Sequence, residues 1–497
     1  MLAIESIDIR RKAIALATPA KHKTQFGQFM TPGVIANFMA SMFHPLGSKT
    51  IRLLDAGAGI GSLTAAVAQR AATENAVSLE CEAWEIDPKL QDPLLATLEA
   101  CKNLVVSSGS TFEAKTYFED FILSFSSRKG EEENTRPTHA ILNPPYKKIS
   151  SASDHRLALR DSGIETTNLY SAFVALALSL LADEGELVAI TPRSFCNGTY
   201  FRPFREFLLS RAAIVQIHVF ESRTHAFKGD EVLQENVIFH LVKGAPQGNV
   251  LISTSADASF SETTSQSIPF DNIVLSDDRE KIFHLEAAKD DSATNEALKQ
   301  YCHSLDDLGL SVSTGPVVDF RLREHLREEN GSECAPLIYA HHFENGFVTH
   351  PKQNAKKPNY IQLNSETLKW MKPSGCYVCV RRLSSKEEKR RIVPAVFTPA
   401  SAHGEIIGFD NHMNYFHKAK AGMPEDVAKG LAVYLGSTFA DQWLRRFSGH
   451  TQVNAGDLRA LRYPDIQTLT GWGKNIDAEL PSQKEIDRIV GGIIVKD

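Results

Sequence analysis

The chain has 497 residues, of which 42% are hydrophobic and 23% charged, a composition that excludes a largely disordered protein. The length predicts about two to four domains. Because 54 basic residues face 60 acidic ones, the net charge is −6, which excludes an overall basic nucleic-acid-binding protein. No apolar run has the length of a membrane span, and seven scattered cysteines form no disulfide framework. We therefore expect a cytoplasmic protein that does not associate with a membrane.

Short apolar runs alternate with helical patterns through the first half of the chain. Strands separated by helices predict βαβ units and a doubly wound α/β domain with a mostly parallel sheet. The last two runs have no long helix between them, so we expect a hairpin at one edge of the sheet. The predicted strands are 51–56, 79–86, 140–143, 186–191, 214–220 and 236–242, and the clearest helices are 62–70 and 168–181.

The pattern changes after residue 244. A stretch rich in Ser, Thr, Asp and Pro is followed by short mixed runs without the βα alternation. We predict a first domain at 1–245, a linker at 246–300 and a second, α+β domain at 301–497. Cys376 and Cys379 form a single C-x-x-C within an alternating run, which favours strand packing over a zinc site. We expect no metal site.

The first motif with chemical content is a glycine-rich turn after a buried strand. Asp55 ends the strand, and Gly57, Gly59 and Gly61 alternate into the next helix. Glycines allow positive φ and let the backbone approach a ligand closely. The N–H groups at the N-terminus of the following helix then face that ligand. An acid before the glycines suits a cationic amino-acid group better than a pyrophosphate, which it would repel.

The second motif is an acid at the end of the next strand. Glu85 follows Trp84 and precedes Ile86, in the string A-W-E-I-D-P. A carboxylate at this point of a nucleoside-binding α/β sheet accepts the hydroxyl groups of a ribose. Taken alone the string is equally typical of a surface turn, but after the glycine turn it favours ligand binding.

The third motif is N-P-P-Y, formed by Asn143, Pro144, Pro145 and Tyr146 directly after a strand. The two prolines fix the backbone and remove two donors, so the carbonyl groups lie in a rigid turn. The Asn143 amide oxygen and the Pro144 carbonyl oxygen can both accept from an exocyclic NH₂ group, and Tyr146 offers a ring for stacking a base. A purely structural Pro-Pro turn is the alternative interpretation.

In this order the three motifs resemble the S-adenosylmethionine-dependent DNA methyltransferases of the gamma, N6-adenine class, over residues 20–245. Q-F-M-T-P at 28–32 resembles the family's N-terminal cofactor motif, and E-D-F at 119–121 resembles the segment that contacts the cofactor's adenine. The string S-G-H-T-Q-V-N at 448–454 is similar to the PstI/BsuBI-type subgroup. The resemblance implies a Rossmann-like class I methyltransferase fold and a catalytic Asn143–Tyr146. It implies cofactor contacts at Phe29, Thr31, Pro32, Asp55, Ala56, Gly57, Gly59, Glu85, Ile86, Asp120 and Phe121.

The resemblance also implies duplex DNA as substrate, a monomeric enzyme and a restriction endonuclease encoded nearby. The target adenine must leave the helix, and Phe227 and Gln234 are our candidates for the far wall of its pocket. In the predicted second domain, Arg with Gln or Asn are residue types that contact base edges. The candidates there are Arg381, Arg382, Arg445, Gln452 and Asn454. The basic run at 381–391 is equally typical of a solvated face held by ion pairs.

Three other functions share part of this pattern. N4-cytosine methylation has the same amine geometry, although Ser in place of Asn143 would favour it more. Methylation of an RNA base or of a protein glutamine also uses N-P-P-Y, but a C-terminal region of this length favours DNA. A non-catalytic nucleic-acid-binding protein is disfavoured, because Asp55, Glu85 and the N-P-P-Y string are all present.

Overall fold

The computed structural model describes residues 4–19, 21–22, 26, 30–125, 133–220, 236–276, 278–285, 301–353, 356–385, 388–448 and 451–491. The chain divides into two compact units, Met1–Ala288 and Lys289–Asp497. Each unit has its own sheets and its own core. None of the helices in these described ranges combines the length and the apolar character that a membrane crossing requires.

The first unit is built on a mixed sheet of nine strands within the described residues, in the order β3-β2-β1-β4-β5-β7-β6-β8-β9. Strands β1 to β5 are mutually parallel, and β7 is antiparallel to both β5 and β6. The strands are β1 (Thr50–Ala56), β2 (Ser78–Trp84), β3 (Thr111–Tyr117), β4 (His139–Leu142), β5 (Glu186–Pro192), β6 (Ala212–Phe220), β7 (Asn236–Lys243), β8 (Val250–Ser255) and β9 (Thr263–Ile268). The predicted parallel α/β sheet is confirmed.

Helices cover both faces of this sheet, as expected for buried parallel strands. Leu53 packs in the core on one face and the neighbouring Leu54 in the core on the other, because successive side chains of a strand alternate. The helices are α1 (Ile4–Ala17), α2 (Gly33–Ser41), α3 (Ser62–Thr73), α4 (Gln91–Ser107), α5 (Phe121–Ser124), α6 (Asp154–Asp161), α7 (Leu169–Leu180), α8 (Arg202–Leu209) and α9 (Phe270–Ile273). Helices α2, α3 and α4 pack on the first face, and α7 and α8 on the second.

The domain boundary differs from the sequence prediction. We expected a linker at 246–300, but β8 and β9 lie within that stretch and extend the sheet of the first unit. The antiparallel β6–β7 pair is therefore not at the edge of the sheet. The many Ser and Thr residues in 250–268 give a polar composition like that of a linker, but β9 is an exposed edge strand, where such residues are tolerated. Residues 286–300 lie outside the described part of the chain.

The second unit contains many short strands followed by helices, as the α+β prediction required. One sheet has the order β10-β20-β17-β18-β14-β13 and another the order β11-β15-β12-β19-β16. The strands are β10 (Ser311–Thr314), β11 (Leu326–Arg327), β12 (Cys334–Ile338), β13 (Phe343–Glu344), β14 (Phe347–Val348), β15 (Tyr360–Gln362), β16 (Lys372–Pro373), β17 (Tyr377–Arg381), β18 (Pro394–Phe397), β19 (Ile406–Phe409) and β20 (Met413–His417). The helices are α10 (Glu425–Gly436), α11 (Thr438–Phe447), α12 (Ala455–Arg459), α13 (Ile466–Gly473) and α14 (Gln483–Gly491). Cys379 is fully buried on β17, with Cys376 buried just before that strand.

Candidate active site

A cleft opens in the first unit where β1, β2 and β4 end. Its empty space is about 810 Å³, including the part that is continuous with solvent. Ligands of open α/β sheets usually bind here, in the crevice outside the carboxyl ends of the parallel strands. The lining residues are Phe26, Met30, Thr31, Gly57, Ala58, Gly59, Ile60, Ser62, Leu63, Trp84, Glu85, Ile86, Leu90, Glu119, Asp120, Phe121, Asn143, Pro145 and Phe173.

The glycine turn forms the floor of the cleft. Gly57 and Gly59 both have positive φ, and each lines the cavity. A side chain on Gly57 would lie 3.7 Å from the ring of Phe173 and would reduce the space for a ligand. The backbone N–H groups of Gly57 and Ala58 both donate to the carbonyl oxygen of Trp84, at 2.9 and 2.8 Å. The turn is thereby fixed to the end of β2.

Asp55 lies beneath this turn and is completely buried. Its Oδ2 atom accepts a hydrogen bond of 2.7 Å from the Thr64 hydroxyl group, while Oδ1 has no partner among the described residues. Burial raises the pKa of Asp55 to about 7, although the bond from Thr64 acts in the opposite direction. Neither Asp55 nor Ala56 lines the cleft directly. An unpartnered buried carboxylate oxygen next to a cavity suits a ligand that carries positive charge.

Glu85 forms one wall of the cleft and is held by backbone donors. Its Oε2 atom accepts from the N–H of Gly59 at 2.8 Å, and Oε1 accepts from the N–H of Asp87 at 2.7 Å. Burial raises the pKa of Glu85 above its usual range, and these two bonds partly offset that effect. Each carboxylate oxygen keeps a second lone pair, so Glu85 can accept further bonds from ligand hydroxyl groups.

Asp120 and Phe121 form the opposite wall. Asp120 caps the short α5 through Oδ1, and its Oδ2 lies 2.8 Å from Nε2 of His155. Burial alone would raise the pKa of Asp120, but the His155 contact and the backbone N–H groups of Ile122 and Leu123 together lower it. The rings of Trp84 and Phe121 lie 5.5 Å apart at a steep angle, which gives this side of the cleft an apolar, aromatic surface.

The N-P-P-Y turn meets the same cleft. Asn143 follows β4 and lines the cavity together with Pro145, while Pro144 is buried. The Asn143 amide nitrogen donates to the Thr31 hydroxyl group at 2.9 Å, and its Oδ1 accepts from the Tyr146 hydroxyl group at 3.2 Å. The N-terminal motif and the N-P-P-Y turn, more than 100 residues apart in sequence, are therefore in direct contact.

Tyr146 is part-buried behind this turn. Its hydroxyl group also lies 3.5 Å from the carbonyl oxygen of Ile190 on β5, and its ring meets that of Tyr170 edge-on at 6.2 Å. Burial raises the pKa of the Tyr146 phenol well above its usual range. The ring is thus held at one end by hydrogen bonds, although it does not itself line the cleft.

The cleft brings together most of the site residues expected from the sequence. Of the predicted cofactor contacts, Pro32, Asp55 and Ala56 do not line it, while Phe29 lies outside the described residues. Phe227 and Gln234 are also outside them. Sequence reasoning missed Phe26, Leu90 and Phe173 as lining residues. The ring of Phe173, on α7, lies 5.2 Å from that of Phe121, and no local sequence signal identifies it.

The basic candidates of the second unit are largely engaged within that unit. Arg381 forms an ion pair with Glu388. Arg445 donates to Asp441 at 2.7 Å and to the Glu388 carbonyl oxygen at 2.8 Å. Arg391, from the same basic run, is fully buried.

Arg382 lies next to Asn454 and is a partly exposed residue. It donates to the carbonyl oxygen of Asn411 at 3.2 Å and to Oδ1 of Asn454 at 3.4 Å. Asn454 also caps α12. The backbone of Gln452 pairs with that of Leu383, which places residues 452–454 beside residues 382–383. Four predicted residues, Arg381, Arg382, Gln452 and Asn454, therefore fall in one region.

A family model described as the Eco57I restriction-modification methylase matches residues 82–227. The type II methyltransferase M.BsuBI of Bacillus subtilis is 45% identical over 502 residues, covering 99% of this chain and 98% of that protein. The type II methyltransferase M.PstI of Providencia stuartii is 42% identical and covers 97% and 96%, respectively. The structure of the type IIL restriction-modification enzyme MmeI in complex with DNA has a similar fold, with a TM-score of 0.54 and 10% identity, over 99% of this chain and 74% of that one.

Proposed function

The chain belongs to the type II restriction-modification methyltransferases of the PstI/BsuBI type, and on this basis we propose that it methylates the N6 amine of adenine in duplex DNA with S-adenosylmethionine as donor. The observation that carries the proposal is the position of Asn143. It lines the same cleft as the glycine turn and Glu85, so an amine held by Asn143 would lie beside a donor held by the turn. That proximity is the main requirement for direct group transfer.

The residues of the cleft fit S-adenosylmethionine, which supplies an electrophilic methyl group on a positively charged sulfur. The unpartnered Oδ1 of Asp55 suits the ammonium group of its methionine part. Glu85 has lone pairs left for the ribose hydroxyl groups, and Gly57 leaves room at the turn. The aromatic side of the cleft, with Phe121, suits the adenine ring of the cofactor.

Asn143 and Pro144 activate the target amine. The lone pair of adenine N6 is delocalised into the ring, so N6 is a weak nucleophile. When Oδ1 of Asn143 and the carbonyl oxygen of Pro144 accept the two N6 hydrogens, they favour a pyramidal nitrogen with a localised lone pair. Both bonds strengthen as positive charge develops on N6, so they stabilise the transition state more than the ground state. Thr31 and Tyr146 orient the Asn143 amide through hydrogen bonds to its nitrogen and its oxygen.

The adenine must leave the DNA stack to reach Asn143, at a cost of a few kcal/mol. Stacking on the Tyr146 ring returns about 1–3 kcal/mol of this cost. Because the Tyr146 hydroxyl group is bonded to Asn143 and lies near Ile190, the ring is held before the base arrives. Preorganisation of this kind reduces the entropy lost on binding.

We assign recognition of the DNA sequence to residues 301–497. Arg381, Arg382, Gln452 and Asn454 fall in one region of this unit. Arg with Gln or Asn are residue types that contact base edges in the major groove, which supports this assignment. The enzyme acts as a monomer that protects host DNA against a restriction endonuclease encoded nearby.

Analysis of the reaction product tests the proposal. Plasmid DNA from cells that express the protein is sequenced by a single-molecule method that detects modified bases, and its nucleosides are separated by mass spectrometry. We expect N6-methyladenine at one short sequence, and none from cells that express the Asn143→Ala protein. N4-methylcytosine would replace the adenine assignment. Unmodified DNA together with methylated RNA or methylated protein glutamine would overturn the choice of substrate.

A further inference from the structure

A second cluster of polar side chains lies at the end of the central strands that is opposite to the cleft. Glu186 is the first residue of β5, and His240 lies on the neighbouring antiparallel β7, opposite Val188. Because Glu186 and Val188 are two residues apart on one strand, the side chains of Glu186 and His240 share a face of the sheet. His44 follows α2, which packs on that face. The cluster therefore lies at the amino end of β5, whereas the cleft lies at the carboxyl ends of β1, β2 and β4.

From this geometry we propose that His44, Glu186 and His240 bind a zinc ion. One ligand atom of each residue lies within 4.8 Å of the ligand atoms of the other two. Nδ1 of His44 is 3.1 Å from Oε1 of Glu186, and Nε2 of His240 is 2.9 Å from Oε2 of the same carboxylate. Ligands bound tetrahedrally at zinc distances of 2.0–2.1 Å are separated by about 3.3 Å, so small shifts would place all three around one ion.

The nitrogen atoms of the cluster support this assignment. His240 is 1% exposed, and its Nε2 lies 2.9 Å from Oε2 of Glu186, while its Nδ1 has no hydrogen-bond partner among the described residues. His139, which pairs with Glu186 on the adjacent strand, is also buried, and its Nε2 lies 3.9 Å from Oε1 of Glu186. Three imidazole rings therefore surround one carboxylate, and a cation bound by His44, Glu186 and His240 would account for this arrangement.

The charges of the cluster also suit a cation. The Glu186 side chain is only 8% exposed, and its Oε2 accepts from the backbone N–H of His44 at 2.9 Å. A buried negative charge needs a nearby positive one. Imidazole and carboxylate ligands suit zinc, and a water molecule would complete four-coordination on the half-exposed side of His44.

Lys49 lines the same shallow pocket as His139 and Glu186, so its positive charge would repel a metal ion and lower the affinity of the site. We therefore expect a site of moderate affinity that supports the packing of the first unit. The zinc proposal does not depend on the assignment of the methyl acceptor.

Zinc titration of the full-length protein without a histidine tag tests the proposal. The protein is first treated with a chelator, and Zn²⁺ binding is then measured by calorimetry. We expect one ion per chain for the wild type and at least tenfold weaker binding for His44→Ala, whose half-exposed side chain can be removed with little loss of packing. His403→Ala removes an exposed histidine from the second unit and should bind zinc like the wild type. Equal binding by the wild type and His44→Ala would overturn the proposal.

Two further measurements keep the test decisive if His44→Ala fails to fold. Zinc should raise the melting temperature of the wild type by roughly 5 °C at a concentration 100 times its dissociation constant. X-ray absorption at the zinc edge should then show nitrogen and oxygen ligands at about 2.0–2.1 Å. Sulfur ligands at about 2.3 Å would assign the ion to cysteines instead. No zinc binding and no change in melting temperature would overturn the proposal.

Discussion

The cleft of the first unit and the basic run of the second unit use their polar side chains in opposite ways. In the cleft, Glu85 is bonded to backbone N–H groups and still has lone pairs available for a ligand. In the basic run, Arg381 and Arg445 direct their guanidinium groups at carboxylates and carbonyl oxygens of the same unit. Residues at strand ends therefore remain available for ligands, whereas residues chosen for their charge alone are often part of the scaffold. Five predictions test this difference between the two regions.

The largest effect is expected at Asn143. Asn143→Ala removes the acceptor for one N6 hydrogen, so kcat should fall by roughly a thousandfold. Affinity for S-adenosylmethionine should change less than threefold, because the cofactor groups lie elsewhere in the cleft. Methyl transfer to duplex DNA and calorimetry measure the two quantities. Asn134→Ala, at an exposed position of the same unit, is the matched control. Full turnover by Asn143→Ala would contradict the mechanism.

Glu85 comes next. Glu85→Ala leaves the N–H groups of Gly59 and Asp87 without their partner and removes the acceptor for the ribose. We expect the dissociation constant of S-adenosylmethionine to rise roughly 100-fold. The control is Glu80→Ala, which removes an exposed carboxylate from the same strand. If both variants bind the cofactor like the wild type, the wall formed by Glu85 is not part of the cofactor site.

Asp55 should make cofactor affinity depend on pH. Its pKa is raised to about 7 by burial, so below pH 7 the carboxyl group of the free enzyme is increasingly neutral and cannot pair with an ammonium group. The dissociation constant should therefore rise about tenfold per pH unit as the pH falls below 7, and reach a plateau above it. Asp55→Asn should bind more weakly at pH 8 and lose this dependence, while Asp92→Asn, at an exposed position, should retain it.

Asp55 should affect stability in the same pH range. The folded protein holds the proton between the ordinary pKa of 3.8 and the raised value of about 7, so the free energy of unfolding decreases as the pH rises through this window. Asp55→Asn should therefore stabilise the protein more at pH 8 than at pH 5. Chemical denaturation at the two pH values measures this difference. An equal effect at both pH values would show that Asp55 is ionised throughout.

The smallest effects are expected in the second unit. Arg382→Ala should weaken DNA binding roughly tenfold and reduce the salt dependence of binding by about one charge, because Arg382 is partly exposed and makes only long hydrogen bonds, of 3.2 and 3.4 Å, to Asn411 and Asn454. Arg445→Ala should leave DNA binding unchanged, since Arg445 is bonded to Asp441 and Glu388. Fluorescence anisotropy at several salt concentrations measures both. If Arg445→Ala weakened DNA binding more than Arg382→Ala, the DNA-binding surface would lie at Arg445.

The sequence predicted the positions of residues at strand ends better than those of residues whose role depends on packing. Glu85 and Asn143 were predicted to lie close together because each follows a buried parallel strand, and the carboxyl ends of such strands meet. The structure places both at the cleft, with Asp55 buried beneath the glycine turn. Phe173 was missed, because a phenylalanine on an apolar helix looks the same whether it faces the core or a cavity. Residues 246–300 were taken for a linker, because the sequence does not show which sheet edge a polar strand will join.

Local patterns in the sequence were enough to predict the parallel sheet, the order of the motifs along it, and the glycine and proline turns that line the cleft. These depend on local patterns: period two in strands, glycine at positive φ, and proline after Asn143. Only the tertiary structure decided which arginines are internal, that Thr31 bonds to Asn143, and that His44, Glu186 and His240 meet. Contacts of this kind join residues that are distant in sequence, and they follow from packing, which no local pattern encodes.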